Sequence, residues 1–515
     1  MGNKKILNYN FKYKELILLL LGTLSSLGFA PFHFFPVTIF SYVFLIFLFS
    51  YEKKVKKKIF IYGYLYSMGM HLGLLYWIAI SFQTANSGGY LAGGIAIFLL
   101  CSFLSIFFAL SFYFLFKLNN NYKNIKFGIF FIFIFTLFDW LKGNIFWGFP
   151  WTPISTLWSF SSQSLYPFSV FGVWGYSLIT YSLIISIYYF FFNFKKGLFF
   201  LFPFIFSILI LPNFFKAKEK NVDSILIRII QPNIKQEDKW KEEKLFSNYE
   251  ELISLINLPS EKKIDLLVLP ETAINLNIKG FEKNNYLNIF AAEHFKSIIF
   301  GAVRLEKNNK HINVFNSLYL IKKNDKEISY HDKLKLVPFG EFIPFRKFIN
   351  LDKLTTGNKD FSKGEEPKIL KLSSKINILP LICYEVIFPE LTKVLKNNYS
   401  LIVNITNDGW YKNSSGPYQH FSHAKIRAVM EGVTLIRSAN TGVSGIISPE
   451  GNILRKLSLE NKGIVDYRLN VRTLETVYSI YREKVFYLIM LTLLFLIGIS
   501  FFYDVIFKVK KSNRS

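Results

Sequence analysis

The stretch Ile378-Leu379-Pro380-Leu381-Ile382-Cys383-Tyr384-Glu385 organises the second half of this chain. It begins as an apolar run, ends in a thiol, a phenol and a carboxylate, and is followed by a turn at Phe388-Pro389-Glu390. A short apolar run bounded by turn residues is typical of a buried strand. Its last residues then face whatever lies beyond the sheet. Cys383 is there either a nucleophile or, as free cysteines commonly are, a small buried core residue.

Composition predicts a membrane part and a soluble part. The 515 residues are too many for one ordinary domain, and 51% of them are hydrophobic. Since 19% of the residues are nevertheless charged, the charged and apolar residues must be segregated along the chain. The net charge of +26 suits a nucleic-acid partner, but the lysines lie in loops and beside apolar segments. We therefore expect these lysines to set the membrane topology and to form a basic surface near anionic lipid. We expect no nucleic-acid partner.

Eight apolar segments are candidate membrane spans, because about 20 apolar residues cross a bilayer. They lie at residues 15–31, 35–51, 59–83, 90–117, 125–141, 165–193, 197–214 and 485–508. The first segment lacks a clean small-residue cleavage site after it, so we expect an uncleaved first helix. Asp139 lies near the end of the fifth segment, where a carboxylate is costly unless it is paired or solvated. Lys142, one turn away, is its expected partner.

The bias of lysine and arginine among the loops predicts the orientation of the spans. With eight spans, five basic stretches fall on one side of the membrane: 1–14, 52–58, 117–126, 195–196 and 508–514. Two loops on the opposite side, at 31–36 and 83–89, contain neither lysine nor arginine. We therefore expect both termini in the cytoplasm and the long segment between the last two spans on the outer face.

Three regions follow from this topology. Residues 1–214 form an N-terminal transmembrane domain of about seven helices, residues 215–480 form an outer α/β domain, and residues 481–515 form the last span with a basic tail. In the outer domain we expect strands at 224–231, 265–269, 297–303, 314–321, 376–383, 401–405, 435–438 and 444–447, and helices at 241–256, 389–396 and 419–432. A disulfide is not expected, since Cys101 lies in a span. Cys383 is then the lone thiol of its domain, which favours a reactive role.

Three of the predicted strand ends carry chemically capable groups. Glu271 follows one apolar run, Lys333 follows Tyr330-His331-Asp332, and Cys383 follows another run. In α/β sheets, sites gather beyond the carboxyl ends of the strands. A thiol needs a base to form thiolate, and a nearby ammonium lowers its pKa and stabilises the oxyanion formed by attack on a carbonyl. Together these groups can perform acyl transfer through a thioester, although spacing alone does not place them in contact.

These motifs resemble the Glu–Lys–Cys triad motifs of the nitrilase, or carbon–nitrogen hydrolase, superfamily. The matching stretches are Leu269-Pro270-Glu271, Tyr330-His331-Asp332-Lys333 and Cys383-Tyr384-Glu385. With eight spans around them, the whole chain resembles the bacterial apolipoprotein N-acyltransferases. Further stretches that carry this resemblance are Tyr76-Trp77, Gly148-Phe149-Pro150-Trp151 and residues 336–344, 406–410, 416–420 and 437–442.

The resemblance implies a fold and an activity. The fold would be an integral membrane α-helical bundle carrying an α/β domain, a nitrilase-like α-β-β-α sandwich. The enzyme would move an acyl chain from a phospholipid to Cys383 as a thioester, and then to the N-terminal diacylglyceryl-cysteine of apolipoproteins. This ping-pong reaction would need no metal or cofactor. The protein would be a multi-pass monomer of the bacterial inner membrane, with its catalytic domain on the periplasmic side.

The resemblance also implies roles for single residues. Glu271 would be the general base, Lys333 would stabilise the oxyanion, and Cys383 would be the nucleophile. Glu341 matches a second carboxylate that supports the triad or positions substrate. The remaining matches are Tyr384 and Glu385 beside the nucleophile, Trp240 near the path of the acyl chain, and Pro344 in a loop near the site.

Some positions keep alternative interpretations. Tyr384 could simply pack, Glu385 could pair with Arg437 or another basic group, and Trp240 could be an interfacial anchor. A second lysine, Lys335, stands where the superfamily often has histidine, so either lysine could occupy the catalytic position. Counting back from the Pro338-Phe339-Gly340-Glu341 motif favours Lys333.

Two other functions compete with acyl transfer. A membrane-tethered nitrilase-type amidohydrolase would share the triad and transfer to water, but a mere anchor needs one span rather than eight. A transporter with an outer sensor domain would place paired ionisable residues in the middle of the membrane, and the predicted spans contain few.

Overall fold

The computed structural model describes residues 13–51, 58–119, 121–215, 217–274, 295–307, 312–323, 325, 328–348, 352–355, 357, 359–392, 395 and 398–512. These residues form two compact units. The helical unit takes its described residues from 13–76, 95–215 and 481–512. The sheet unit takes them from Trp77–Gly94 and Ala217–Ile480, so it includes a segment that lies outside the predicted region 215–480.

Helices occur at all eight predicted span positions. In chain order the α-helices are α1 (Lys14–Ser25), α2 (Phe35–Tyr51), α3 (Ile59–Leu75), α4 (Trp77–Thr84), α5 (Gly89–Leu118), α6 (Ile125–Asn144), α7 (Ser162–Leu165), α8 (Phe168–Phe190), α9 (Phe194–Ile205), α10 (Leu211–Phe214), α11 (Glu242–Ile256), α12 (Ser415–Glu431), α13 (Val477–Tyr481) and α14 (Lys484–Ser512). The helices α9 and α10 are joined by a π-helical turn, Phe206–Ile210.

Several of these helices have the length and apolarity of membrane spans. Among the described residues, Gly89–Leu118, Phe168–Phe190 and Phe194–Phe214 qualify individually, and α3 with α4 qualifies as one broken pair. Two further apolar helices are shorter, Phe35–Ser50 and Lys484–Ser500. The predicted helical membrane part is therefore present. Its full count of eight spans and their orientation stay predictions.

A buried ion pair fastens an irregular segment to α6. Lys142 Nζ lies 2.8 Å from Asp139 Oδ1, as the sequence leads us to expect, and both side chains are buried. Lys142 also donates to the carbonyl of Thr152 at 3.2 Å, and Asp139 accepts from the backbone N–H of Ile154 at 3.2 Å. The two charges therefore hold the loop that follows α6 as well as each other.

The sheet unit is built on two six-stranded sheets. Its strands are β1 (Lys218–Gln231), β2 (Ile264–Val268), β3 (Phe295–Lys307), β4 (Ile312–Lys322), β5 (Ser329–Asp332), β6 (Leu370–Lys371), β7 (Asn377–Ile382), β8 (Leu401–Thr406), β9 (Thr434–Ala439), β10 (Ser444–Ile447), β11 (Ile453–Leu457) and β12 (Gly463–Glu475). The first sheet has the order β12-β1-β2-β3-β4-β5, and the second has the order β11-β10-β9-β8-β7-β6.

The two sheets enclose the main hydrophobic core between them. This core joins buried residues from both sheets, such as Ile227 and Val268 from the first and Ile378 and Val403 from the second. On β2, alternate residues face opposite sides, so Leu267 enters a second core with α11 while Val268 enters the first. Because α12 packs on β9 and β10, the layers are α11, two sheets and α12. The predicted α-β-β-α sandwich is confirmed.

Strand β12 is the largest element that the sequence interpretation missed. It pairs antiparallel with β1 along almost its whole length and carries alternating buried and exposed residues for much of that length. Its apolar positions are interrupted by Asp466, Arg468, Asn470 and Arg472. The central strands were predicted from short apolar runs. Because this stretch contains no such run, it was not predicted as a strand.

Arg228 provides a test of how the first sheet is stabilised. This fully buried residue of β1 donates two hydrogen bonds to Asp466 of β12, at 2.7 and 2.6 Å, and others to the carbonyls of Ile256 and Pro259 at 3.1 Å. It therefore ties the end of α11 to the sheet. We expect Arg228→Met to destabilise the sheet unit by about 3 kcal/mol, because it leaves these acceptors unpaired.

The measurement is the thermal unfolding temperature of the purified full-length protein in detergent. The control is Lys462→Met, which breaks an exposed ion pair with Glu251 (2.7 Å) and should cost less than about 1 kcal/mol. Equal unfolding temperatures for the two variants would contradict the assigned role of Arg228.

Candidate functional site

Cys383 lies at a sharp turn directly after β7. It is the first residue of a 3₁₀ turn, Cys383–Ile387, and its φ of +51° lies in the left-handed region that non-glycine residues rarely adopt. Such a conformation costs about 1–3 kcal/mol and persists only where its surroundings enforce it. The enforced turn places the thiol beyond the end of its strand, where the sequence predicted it.

The side chain of Glu385 enforces part of this turn. Its Oε2 accepts from the backbone N–H of Ile382 at 2.7 Å, and its Oε1 accepts from that of Leu334 at 2.5 Å. His331 Nε2 lies 3.5 Å from Oε2. Although burial alone raises the pKa of Glu385, His331 and these backbone N–H groups bring it below its usual value. Glu385 thus connects the cysteine turn to the lysine segment, and the basic group beside it is His331 rather than Arg437.

Glu271, Lys333 and Glu341 form one buried charged cluster. Lys333 Nζ donates to Glu341 Oε1 at 2.9 Å and lies 3.6 Å from Glu271 Oε1. Although burial by itself lowers the pKa of Lys333, Glu341 and Glu271 raise it well above its usual value. The ammonium is therefore permanently charged at physiological pH. It cannot act as a base, but it can stabilise a developing oxyanion.

Asn316 of β4 holds the two carboxylates of this cluster together. Its Nδ2 donates to Glu271 Oε1 at 2.7 Å and to Glu341 Oε1 at 3.0 Å. Its backbone carbonyl accepts from the N–H of Lys333 at 2.9 Å. Glu341 Oε2 also accepts from the backbone N–H of Val337 at 2.8 Å, which fixes the direction of that carboxylate. Asn316 therefore contacts both carboxylates through its side-chain amide and Lys333 through its backbone.

The Cys383 thiol is electrostatically coupled to the cluster. Burial raises the pKa of the thiol most, the Glu271 carboxylate raises it further, and the Lys333 ammonium lowers it. The net effect is a pKa well above the usual range of a cysteine. The thiol is therefore neutral at rest, and a nucleophilic role for it would require a base. Glu271 and Asp408 are both coupled to the thiol; Arg437 engages Asp408 at 2.6 Å, so Glu271 is the candidate base.

A second buried lysine supports the residue that carries the base. Lys239 Nζ donates to the carbonyl of Glu271 at 3.0 Å and to Thr272 Oγ1 at 2.8 Å. Thr272 has a φ of +46°, so Lys239 stabilises another left-handed residue beside the site. Burial lowers the pKa of Lys239 to about 8, although the charges of Glu271 and Cys383 oppose that shift.

The other predicted site residues lie around this centre. Trp240 is half-buried and lines a cavity next to Lys239. Tyr384 is buried, and its ring packs edge-on against Phe388 at 4.7 Å, in agreement with the packing alternative. Pro344 is buried in the loop after Glu341. These placements leave their predicted roles as predictions.

Lys335 occupies a different environment from Lys333. Its Nζ pairs with Glu390 at 2.8 Å and lies 4.8 Å from the centre of the Phe388 ring. Lys333, by contrast, is buried between Glu271 and Glu341. The geometry therefore favours Lys333 over Lys335 for the role beside the thiol.

A neutralised polar network lies behind Cys383. Cys383, Asp408 and His420 are residue types that can hold a metal ion. One potential ligand atom from each lies within 4.8 Å of the other two. In this structure Arg437 donates to Asp408 at 2.6 Å, and His420 Nε2 lies 3.1 Å from the carbonyl oxygen of Cys383. These ligand types are thus already engaged within the protein, and a buried guanidinium beside them disfavours a cation.

Sequence reasoning missed Asn316 and Lys239, and it assigned no contact to His420, although residues 416–420 carry the family resemblance. A signal existed for Asn316, because it is a polar residue inside an apolar strand and buried polar groups need partners. Lys239 and His420 carry no such local signal, since each lies in a polar stretch and becomes buried only through contacts with distant segments.

The arrangement as a whole suits acyl transfer. It combines a neutral thiol, a carboxylate that can accept its proton, and a permanently charged ammonium that can stabilise an oxyanion. All of these groups are buried, so water has limited access to an acyl group carried on the thiol.

Comparisons with known proteins match nearly the whole chain. The model of the carbon-nitrogen hydrolase family matches residues 226–478, and that of the apolipoprotein N-acyltransferase N-terminal domain matches residues 21–186. Apolipoprotein N-acyltransferase of Rickettsia prowazekii is 32% identical over 510 residues, which cover 96% of this chain and 99% of the relative. That of Rhodopseudomonas palustris is 29% identical over 92% of each chain.

Among solved structures, Nit3 of Saccharomyces cerevisiae, a member of branch 10 of the nitrilase superfamily, matches with a TM-score of 0.37 and 19% identity. It covers 52% of this chain and 96% of that chain.

Asn316 can be tested through the rate of acylation of the thiol. In Asn316→Ala the two carboxylates lose their common donor, and we expect the rate of acylation by phospholipid to fall about 10-fold or more. The control is Asn313→Ala, which removes the same type of side chain three positions earlier on β4. Equal rates in the two variants would show that Asn316 does not organise the site.

Lys239 predicts a pH dependence of stability. The folded protein loses the proton of this lysine at about pH 8, whereas the unfolded chain keeps it to about 10.5. Since the unfolded state binds more protons between these values, this group makes the folded state more stable as the pH rises through that window. Below pH 8, the folded state carries the cost of the buried ammonium. We therefore expect the stability of wild type relative to Lys239→Met to rise by about 3 kcal/mol between pH 7 and pH 10.5.

Unfolding temperatures measured across this pH range test the prediction. Thr272→Val removes one acceptor of Lys239 but keeps the titrating ammonium, so it should retain the pH dependence of the wild type. A constant difference between Lys239→Met and wild type from pH 7 to 10.5 would contradict it.

Proposed function

The chain belongs to the apolipoprotein N-acyltransferase family, and we propose that it acylates lipoproteins by way of a thioester on Cys383, with a membrane phospholipid as the acyl donor. Membership rests on the relative that is 32% identical over 99% of its own length. The single observation that supports the proposed mechanism is the buried cluster of Glu271, Lys333 and Glu341, electrostatically coupled to the Cys383 thiol.

In the first half-reaction the enzyme takes the acyl chain. Glu271 accepts the proton of the Cys383 thiol, and the sulfur attacks the ester carbonyl of the phospholipid. Lys333 stabilises the oxyanion of the tetrahedral intermediate. The intermediate collapses as the carbon–oxygen bond breaks, and the leaving oxygen of the lysophospholipid takes the proton from Glu271.

In the second half-reaction the acceptor amine replaces the thiol. The N-terminal amine of the diacylglyceryl-cysteine attacks the thioester carbonyl and gives a proton to Glu271 as the amide bond forms. Lys333 again stabilises the oxyanion. The carbon–sulfur bond then breaks, and the sulfur leaves as the thiol with the proton from Glu271. Both halves therefore use one base, one cation and one nucleophile.

Supporting residues and topology complete the proposal. Glu341 keeps Lys333 in place, while Trp240 and Pro344 lie where the acyl chain passes. The protein is a monomer of the inner membrane, with residues 1–214 and 481–515 in its membrane and cytoplasmic parts. Residues 215–480 form the catalytic domain on the periplasmic side. The lack of lysine and arginine in the predicted outer loops supports this orientation.

The proposed location agrees with the surface of the loop that contains Pro344. Phe345 and Phe348 of this loop are 63% and 88% exposed. Exposed aromatic side chains are typical of membrane interfaces, where one part of the ring system is apolar and its surroundings are wet. These side chains give the loop an apolar surface that a lipid could contact. The tethered amidohydrolase alternative offers no reason for such a surface or for an acyltransferase-type N-terminal domain.

Intact mass spectrometry of the full-length protein tests the thioester. After incubation with phospholipid, wild type should gain the mass of one acyl chain, and hydroxylamine should remove it. Cys383→Ala should gain nothing, because it lacks the sulfur that forms the bond. Glu271→Gln should form the adduct at least about 10²-fold more slowly, since it lacks the base.

The matched control is Cys101→Ala, which removes the buried cysteine of the helical unit. This variant should form the adduct as the wild type does. An adduct on Cys383→Ala, or none on wild type, would reject the proposed mechanism.

A further inference from the structure

The backbone carbonyl of Cys383 is held by two side chains that the mechanism above does not use. His420 Nε2 donates to this oxygen at 3.1 Å, and Asn404 Nδ2 donates to it at 3.4 Å. Asn404 also donates to the carbonyl of Leu381 at 3.1 Å. Both donors are essentially inaccessible to solvent. Two hydrogen bonds therefore converge on the carbonyl of the residue that is held in the left-handed region.

Arg437 aligns both donors from behind. Its Nη1 donates to Asn404 Oδ1, and its Nη2 lies 3.0 Å from His420 Nδ1. Asn404 and Arg437 are direct neighbours on the paired strands β8 and β9. Asp408 accepts from Arg437 Nη2 at 2.6 Å and so balances the guanidinium charge. A single buried arginine thus fixes the orientation of both side chains.

The hydrogen-bond directions select one form of His420. A carbonyl oxygen only accepts, so Nε2 must carry the proton in this contact. Nδ1 can then accept from Arg437, which still has a second N–H for Asp408. The neutral imidazole with its proton on Nε2 satisfies Cys383 and Arg437. It leaves the 2.9 Å contact between Nδ1 and Asp408 Oδ1 without a hydrogen, and Oδ1 accepts instead from Thr406 Oγ1 at 3.2 Å. Burial also lowers the pKa of His420, in agreement with the neutral form.

We propose that His420 and Asn404, aligned by Arg437, are positioning residues that hold the Cys383 carbonyl and so fix the geometry of the nucleophile. The peptide between Cys383 and Tyr384 is planar, so fixing its carbonyl also fixes the direction of the Tyr384 N–H. The left-handed φ of Cys383 then sets where the thiol stands relative to Glu271 and Lys333. The network acts on the reaction through the cysteine backbone and does not touch the substrate. This inference rests on the proposed thioester mechanism.

Two amide substitutions at His420 differ only in the position of their N–H group and so test the hydrogen bond to the Cys383 carbonyl. Glutamine carries an amide N–H close to the place of Nε2, whereas asparagine carries one near Nδ1 and falls short of the carbonyl. We expect His420→Asn to lower the rate constant of thioester formation by about 10²-fold, because a small misplacement of a reacting group has that effect. His420→Gln should recover most of this loss. The KM for phospholipid should change little in either variant, since the network does not face the substrate.

Asn404→Asp provides an independent variant. It keeps the shape and the pairing with Arg437 but has no N–H for the two carbonyls. We expect the rate of thioester formation to fall about as much as in His420→Asn. If His420→Asn fails to fold, this variant alone still tests whether hydrogen bonds to the Cys383 carbonyl affect that rate. The control is His423→Gln, which replaces another buried histidine of α12 and should leave the rate near that of wild type.

The readouts are the rate of the acyl mass increase on the full-length protein with phospholipid vesicles, and the rate of alkylation of Cys383 by iodoacetamide. Equal rates for His420→Asn and His420→Gln would overturn the inference, whether both are slow or both are normal. A wild-type rate in Asn404→Asp would overturn it as well. The proposed function fails if the wild type forms no adduct or if Cys383→Ala forms one, and neither result depends on the His420 and Asn404 variants, so the two failures are distinguishable.

Discussion

Burial of the Lys333 ammonium is the interaction on which this site depends. An unpaired ammonium in a low-dielectric interior is too costly to keep, so the charge requires close carboxylates. Glu341 at 2.9 Å and Glu271 at 3.6 Å supply them, and Asn316 separates and orients the pair. The same contacts that make the lysine tolerable also bring the proposed base, Glu271, next to the charge proposed to stabilise the oxyanion. Stability and chemistry therefore share one set of hydrogen bonds.

The sandwich determines how these groups meet the thiol. Glu271, Asn316 and Lys333 all belong to the first sheet or directly follow its strands, whereas Cys383 follows β7 of the second sheet. The nucleophile and its activating groups thus come from opposite layers, and the core between the sheets sets their separation. Cys383 itself is part of that core. Glu385 adds a direct link between the layers, because it accepts from backbone N–H groups on both the cysteine and the lysine segments.

The sequence allowed the central strands and their reactive ends to be predicted, because each apolar run stops abruptly at a polar residue. Glu271 and Cys383 were found in this way, whereas Lys333 follows the polar stretch Tyr330-His331-Asp332. The observed bounds of β10 (Ser444–Ile447) match the prediction. Convergence in space could not be read from spacing, since it depends on two sheets packing face to face. The same limit hid Lys239, whose burial arises only from contacts with the segment around Glu271. Strand β12 escaped for a different reason, because its charged residues interrupt the apolar pattern.

The buried thiol and carboxylate also explain why one triad can serve transfer rather than hydrolysis. Moving a proton from Cys383 to Glu271 leaves the net charge of the site unchanged, so burial does not oppose the step as it would oppose taking up a proton from solvent. Lys333 lies beside both groups and stays charged throughout. The proton therefore circulates between sulfur, carboxylate and the oxygen or nitrogen of the substrate, without bulk water. In the proposed mechanism, a thioester in such a site would persist until the acceptor amine enters. The exclusion of water, rather than the triad itself, would then distinguish acyl transfer from the hydrolysis that the same three residue types can perform.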